Sequence, residues 1–125
     1  MTATIENIKS LHETLISDLT KSVFPDGTYN LNTLEAVEFT DGYQVSFCNV
    51  GDEYSADDYM FVTSMFAEIS TDGVAYAGKF DGTAEVSYHI KNKLTAIKYA
   101  KMFNQISIWD WKNSKEIPTG GTGKR

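Results

Sequence analysis

The segment "VAYAGKF-DG-TAEVSYHI", residues 74–90, constrains this chain most. Two arms of alternating apolar and polar residues flank Asp81-Gly82, the dipeptide that closes a tight turn between antiparallel strands. It reads as a β-hairpin. A second hairpin is expected in "NTLEAVEF-TDG-YQVSFCNV", with Asp41-Gly42 at its bend. There Tyr43, Val45 and Phe47 share one face, and Gln44, Ser46 and Cys48 the other.

Three segments carry helical spacing instead. Ile5, Ile8, Leu11, Leu15 and Leu19 recur every three or four residues, predicting a helix over 3–21 capped by Thr2 or Thr4 and stopped by "FPDG". "YSADDYMFVTSMFAEISTDG" predicts a second, with Ser55 as cap, Asp58 completing a capping box, and Tyr59, Val62, Phe66 and Ile69 as its buried stripe. Residues 93–104 predict a third, with Leu94, Ile97, Ala100 and Phe103 inward and Asn104 as a left-handed end. "ISIWDW" reads as the last strand. The expectation is an α+β fold: one domain over residues 1–113, three helices and about five strands in an antiparallel or mixed sheet, ordered αββαββαβ. Residues 114–125 read as a flexible, basic, glycine-rich tail.

The 125 residues include 42% apolar side chains, ample for one core. The amino-terminal stretch has acids inside it and lacks the pattern of a secretory signal, and a single cysteine leaves no internal disulfide framework; both point to a cytoplasmic setting. Charge is unevenly spread. Residues 26–85 hold twelve acids against Lys79 alone, a net of −11, whereas the chain from residue 86 onward carries +6. The single arginine is Arg125. An acidic body almost without arginine argues against direct nucleic-acid binding and favours a basic protein partner.

The chemistry-bearing motifs mostly fail on inspection. "GGTGK" resembles a phosphate-binding loop, but the first glycine of that motif falls on Pro118 and the hydroxyl position on Arg125. A calcium loop starting at Asp52 needs glycine at 57 and glutamate at 63, and finds Asp57 and Thr63. Two histidines and one cysteine have no zinc spacing, so neither metal nor cofactor is expected. His12 reads as a helix-boundary residue. Cys48 and His89 both fall on polar strand faces and would make a catalytic or ligand pocket if their strands were neighbours. The tryptophans Trp109 and Trp111 face away from Ile106 and Ile108, so they serve either the core or an interface. The expected partner-binding residues are Glu35, Glu38, Asp52, Glu53, Asp57, Asp58, Trp109 and Trp111, with no catalytic residue. Self-association through the last strand is a further reading.

The stretches "GYQVSF", "YAGKF-DG-TAEVSYHI" and "NQISIWDW…EIPTGGTGKR" resemble a family of small, largely uncharacterised accessory proteins of bacterial conjugative elements and phages. The resemblance spans about residues 42–125. It implies a counter-defence context, such as anti-CRISPR or antirestriction inhibitors that occupy a basic nucleic-acid groove on a host enzyme.

Overall fold

The structure is a computed structural model that describes residues 5–19, 24–31, 33–48, 55–80 and 83–122; of residues 5–11, 47, 48, 56, 80 and 83 it describes the backbone only. The elements run α1 (Ile5–Leu19), β1 (Gly27–Asn30), β2 (Ala36–Val37), β3 (Tyr43–Cys48), α2 (Ala56–Ile69), β4 (Tyr76–Phe80), β5 (Thr83–Ile90), α3 (Lys93–Met102), β6 (Ser107–Asp110) and β7 (Lys115–Pro118). The seven strands form one antiparallel sheet in the order β2-β1-β4-β5-β3-β6-β7. The class is α+β with three helices, as the periodicities predict, but with two more strands than expected.

β4 and β5 pair antiparallel as predicted, with Phe80 opposite Thr83; the predicted bend at Asp81-Gly82 lies outside the described residues. The first predicted hairpin does not. Ala36–Val37 pairs with β1, whereas β3 lies between β5 and β6. The turn that matters is the one before β2, where Leu34 takes φ 58 and hydrogen bonds Leu34 N–Asn30 O and Asn30 N–Glu35 O close the loop. Asp41-Gly42 makes a bend instead. Gly42 has φ 78 and lies against the His89 ring, so β3 departs inward rather than folding back on residues 36–37.

β5 shows how the sheet divides space. Ala84, Val86, Tyr88 and Ile90 point to one face, where Tyr29, Val45, Ala77 and Ile108 join them by register. All three helices pack on that face, α1 and α2 over β5 and α3 over β3 and β6. Ser55 caps α2 by accepting from the Asp58 amide, and Tyr59, Val62 and Phe66 are buried as predicted. Phe66 stacks on Tyr88 with ring centroids 5.6 Å apart. Burying a side chain of that size stabilises the fold by about 2–3 kcal/mol. Tyr59 is closed off between α1 and α2, and its hydroxyl meets Nδ1 of His12. His12 is thus a packed residue of the α1–α2 contact, and burial lowers its pKa from 6.5.

α3 keeps most of its predicted face, with Ala100 buried and Ile97 and Phe103 packed against the core, but Leu94 does not follow. Leu94 is 78% exposed, and Ala96 and Ala100 face the sheet. Asn92 accepts from the Thr95 amide and starts the helix at Lys93. A residue two positions from Ala96 lies about 200° around the axis, facing outward. Asn104, with φ 54, ends the helix as its residue type suggested.

The end of the chain holds the largest difference. Lys115–Pro118 forms β7 beside β6, and the glycine-rich segment up to Thr122 is docked. Thr119 is buried, donating its amide to Ile106 O and its hydroxyl to Gln105 O. Asn104 and Thr122 exchange two hydrogen bonds of 2.7 and 3.0 Å. Gly121 lies so close to the Asn104–Gln105 backbone that a Cβ there would stand 2.8 Å from Asn104 C. Gly121, in a stretch that resembles a phosphate loop in sequence, serves here as a close backbone contact. In the β6–β7 turn, Asp110 accepts from the Asn113 amide and side chain; the latter bond, chiefly, holds its carboxyl below its usual pKa.

Candidate functional site: the helix-free face of the sheet

The opposite face of the sheet carries no helix among the described residues. Register places a row across it: Glu116, Trp109, Gln44 and His89, contributed by β7, β6, β3 and β5. Neighbours in that row are about 4.8 Å apart. A second row sets Ser46 beside Ser87, and Ser87 beside Tyr76. Gly78 follows next to Glu85.

Large and small side chains segregate on this face. Phe39, from the β2–β3 connection, stacks on His89 at 3.9 Å between centroids and meets Tyr76 and Trp111 edge-on. Trp111 in turn meets Trp109 at 6.3 Å, also edge-on. These rings form a continuous aromatic ridge. Beside it Ser46, Gly78 and Ser107 leave a cleft of about 670 Å³, which Trp109, Gln44 and the carboxylates Asp26, Glu85 and Glu116 also line.

A buried polar network holds the ridge to the floor. The Gln44 amide donates to Ser87 Oγ at 2.9 Å, and its oxygen accepts from Trp111 Nε1 at 3.1 Å. Both Gln44 and Ser87 are buried, so each bond made here avoids a desolvated polar group left unpaired, a cost of about 1–3 kcal/mol. His89 is similarly engaged. Its Nε2 lies 2.7 Å from the Asp41 carbonyl and its Nδ1 2.8 Å from Thr71 Oγ1. A carbonyl only accepts, so Nε2 carries a proton and donates it to Asp41 O. Tyr76 donates to Asp72 Oδ2 at 2.7 Å; burial first, then that bond and the Asp72 charge, push its phenol up to about 12.

The electrostatics of the cleft are lopsided. Among the described residues, three lining carboxylates face a single lining cation, Lys79, for a formal net of −2. The Lys79 ammonium donates to the Phe24 carbonyl at 2.6 Å.

The sequence-predicted site residues fall in three places. Glu35 and Glu38 flank β2 at one edge of the sheet, and both are exposed. Asp57 and Asp58 are exposed in the first turn of α2, on the helical side. Trp109 and Trp111 are half-buried on or beside β6, five strands from β2, a separation of about 24 Å at the usual spacing. Asp52 and Glu53 lie outside the described residues. The acids and the tryptophans therefore do not form one patch. The proposed Cys48–His89 pair is not formed either: β3 and β5 are neighbours, but His89 stands opposite Gln44 and Cys48 opposite Val86. Three residues of strand, about 10 Å, separate them. His89 does not line the cleft, and the Cys48 side chain lies outside what the structure describes.

Sequence reasoning missed Asp26, Gln44, Ser46, Gly78, Glu85 and Glu116. The alternation of Gln44 and Ser46 with Tyr43 and Val45 marked a polar face, but which strands lay beside it was not legible. Among the described residues no group of three His, Cys, Asp or Glu side chains is placed to hold a metal, and no helix is long and apolar enough to cross a membrane. Comparison with protein-family models, with curated proteins and with solved structures finds no match.

Proposed function

We propose that this protein is a non-enzymatic binding protein that takes a basic segment of another protein onto the helix-free face of its sheet. One observation carries the reading: the cleft there is bordered by an aromatic ridge and has an excess of carboxylates. Such a surface favours cations and disfavours phosphates. The exposed acids Glu35, Glu38, Asp57 and Asp58 lie away from the cleft and act at longer range, steering a basic partner toward the body. The resemblance to accessory proteins of conjugative elements and phages points the partner toward a host nucleic-acid enzyme, with inhibition by occupancy of its basic groove, in the cytoplasm.

A pocket enzyme built on Cys48 and His89 is less well supported, because both imidazole nitrogens are engaged and the cysteine stands about 10 Å along the strands. The test is co-purification from a native host, followed by salt titration of the isolated complex. Glu85→Lys with Glu116→Lys is expected to lower affinity at least tenfold. Asp57→Lys with Asp58→Lys should mainly slow association at low salt. A complex whose affinity ignores the first pair would refute the reading.

A further inference from the structure

We infer that the cleft seats an arginine side chain of the partner, its guanidinium laid on the Trp109 indole and bonded to the Glu116 carboxylate. This rests on the proposed role as a binder of basic protein segments and names the group recognised. The first argument is placement. Trp109 and Glu116 are Cα partners on β6 and β7, so both side chains rise from the same face about 5 Å apart. That spacing lets one planar cation stack on the ring and reach the carboxylate edge-on.

The second argument is rigidity. Trp109 packs edge-on against Trp111, and Trp111 is held by its Nε1 bond to Gln44, itself tied to Ser87. The indole platform is set before a ligand arrives, so little order is lost on binding. The third is room and charge. Ser46, Gly78 and Ser107 leave about 670 Å³ beside the platform, enough for an arginine side chain and its flanking peptide, in a cleft whose described lining has a formal net of −2. Arginine is favoured over lysine because a planar, weakly hydrated cation stacks and bonds in two directions at once.

The experiment titrates the full chain with acetyl-Gly-Arg-Gly-amide, its lysine analogue and its citrulline analogue, following the indole N–H signals by NMR. The arginine peptide is expected to shift the Trp109 resonance, to bind several-fold tighter than the lysine peptide, and to bind at least tenfold tighter than the uncharged citrulline peptide. Trp109→Leu and Glu116→Gln should each weaken it about fivefold or more. Glu116 is exposed, so the second variant stays informative if the first unfolds. Equal binding of arginine and citrulline peptides, or arginine binding that ignores Glu116→Gln, overturns the inference. If the peptides fail while the host complex still depends on Glu85 and Glu116, only the arginine assignment falls. If the host complex ignores those carboxylates as well, both readings fall.

Discussion

Replacing Gly42 by alanine should unfasten the aromatic ridge from the sheet. Two effects add at this position. The first is backbone strain: Gly42 has φ 78, and an L-residue there costs about 1–2 kcal/mol. The second is collision. A Cβ would sit 2.6 Å from Cε1 of His89 and closer still to Nε2, so the imidazole must move. Moving it breaks the Nε2–Asp41 carbonyl bond, at about 1–3 kcal/mol for a buried polar group, and the Phe39 stack, at about 0.5–1.5 kcal/mol. The expected total is about 3–6 kcal/mol, a large share of a typical domain's stability. Gly73 provides the control. It has φ 72, but the nearest atom to its Cβ is Ala67 O at 4.0 Å, so Gly73→Ala carries strain without collision. Chemical denaturation of both variants reads the difference as a shift of midpoint at constant slope. Gly42→Ala should cost at least about 1.5 kcal/mol more than Gly73→Ala. Equal losses would refute the claim that His89 is fixed by close packing against the bend.

Gly121→Ala should release residues 119–122 from the Asn104–Gln105 backbone and cost about 1–3 kcal/mol in stability, because the obstructing atoms are main chain and cannot rotate away. Hydrogen exchange at the Thr119 and Thr122 amides reads this directly; unchanged protection would contradict a docked terminus. His12 should titrate below 6.5 in the folded protein, since burial disfavours its charged form. The unfolded chain then binds the proton first, so stability is lost as pH falls from about 6.5 through the folded value. His12→Gln should remove that part of the slope, as seen in denaturation midpoints between pH 7.5 and 5, and an identical slope would contradict a buried neutral imidazole.

Local chemistry was legible where one segment contains its own answer. Ser55 and Asp58, Asn104, and the two arms around Asp81-Gly82 interact within a few residues, so spacing along the chain is spacing in space. The predicted stripe of α2 was readable for the same reason, since a helix face is determined by its own period. Failures began where two candidates competed for one partner. Residues 36–37 had a nearby turn at Asp41-Gly42, yet they pair with β1, and nothing local ranks those options. Leu94 failed because the inner face of α3 is set by Ala96 and Ala100, which turns it outward, and spacing alone does not rank two alanines above a leucine.

The sequence by itself determined the α+β class, most of the helical faces, the antiparallel pairing of β4 with β5 and the uneven distribution of charge, because these follow from backbone sterics, short-range periodicity and counting. Only the tertiary structure decided the strand order, the pairing of β7 with β6 and the docking of Gly121 onto Asn104–Gln105. It alone brought Glu116, Trp109, Gln44 and His89 into one row, while leaving the acids at 35, 38, 57 and 58 on other margins. The physical reason is that strand pairing is made by generic backbone hydrogen bonds. Any strand can satisfy any other, and only the simultaneous packing of all of them selects the neighbours from which a site is built.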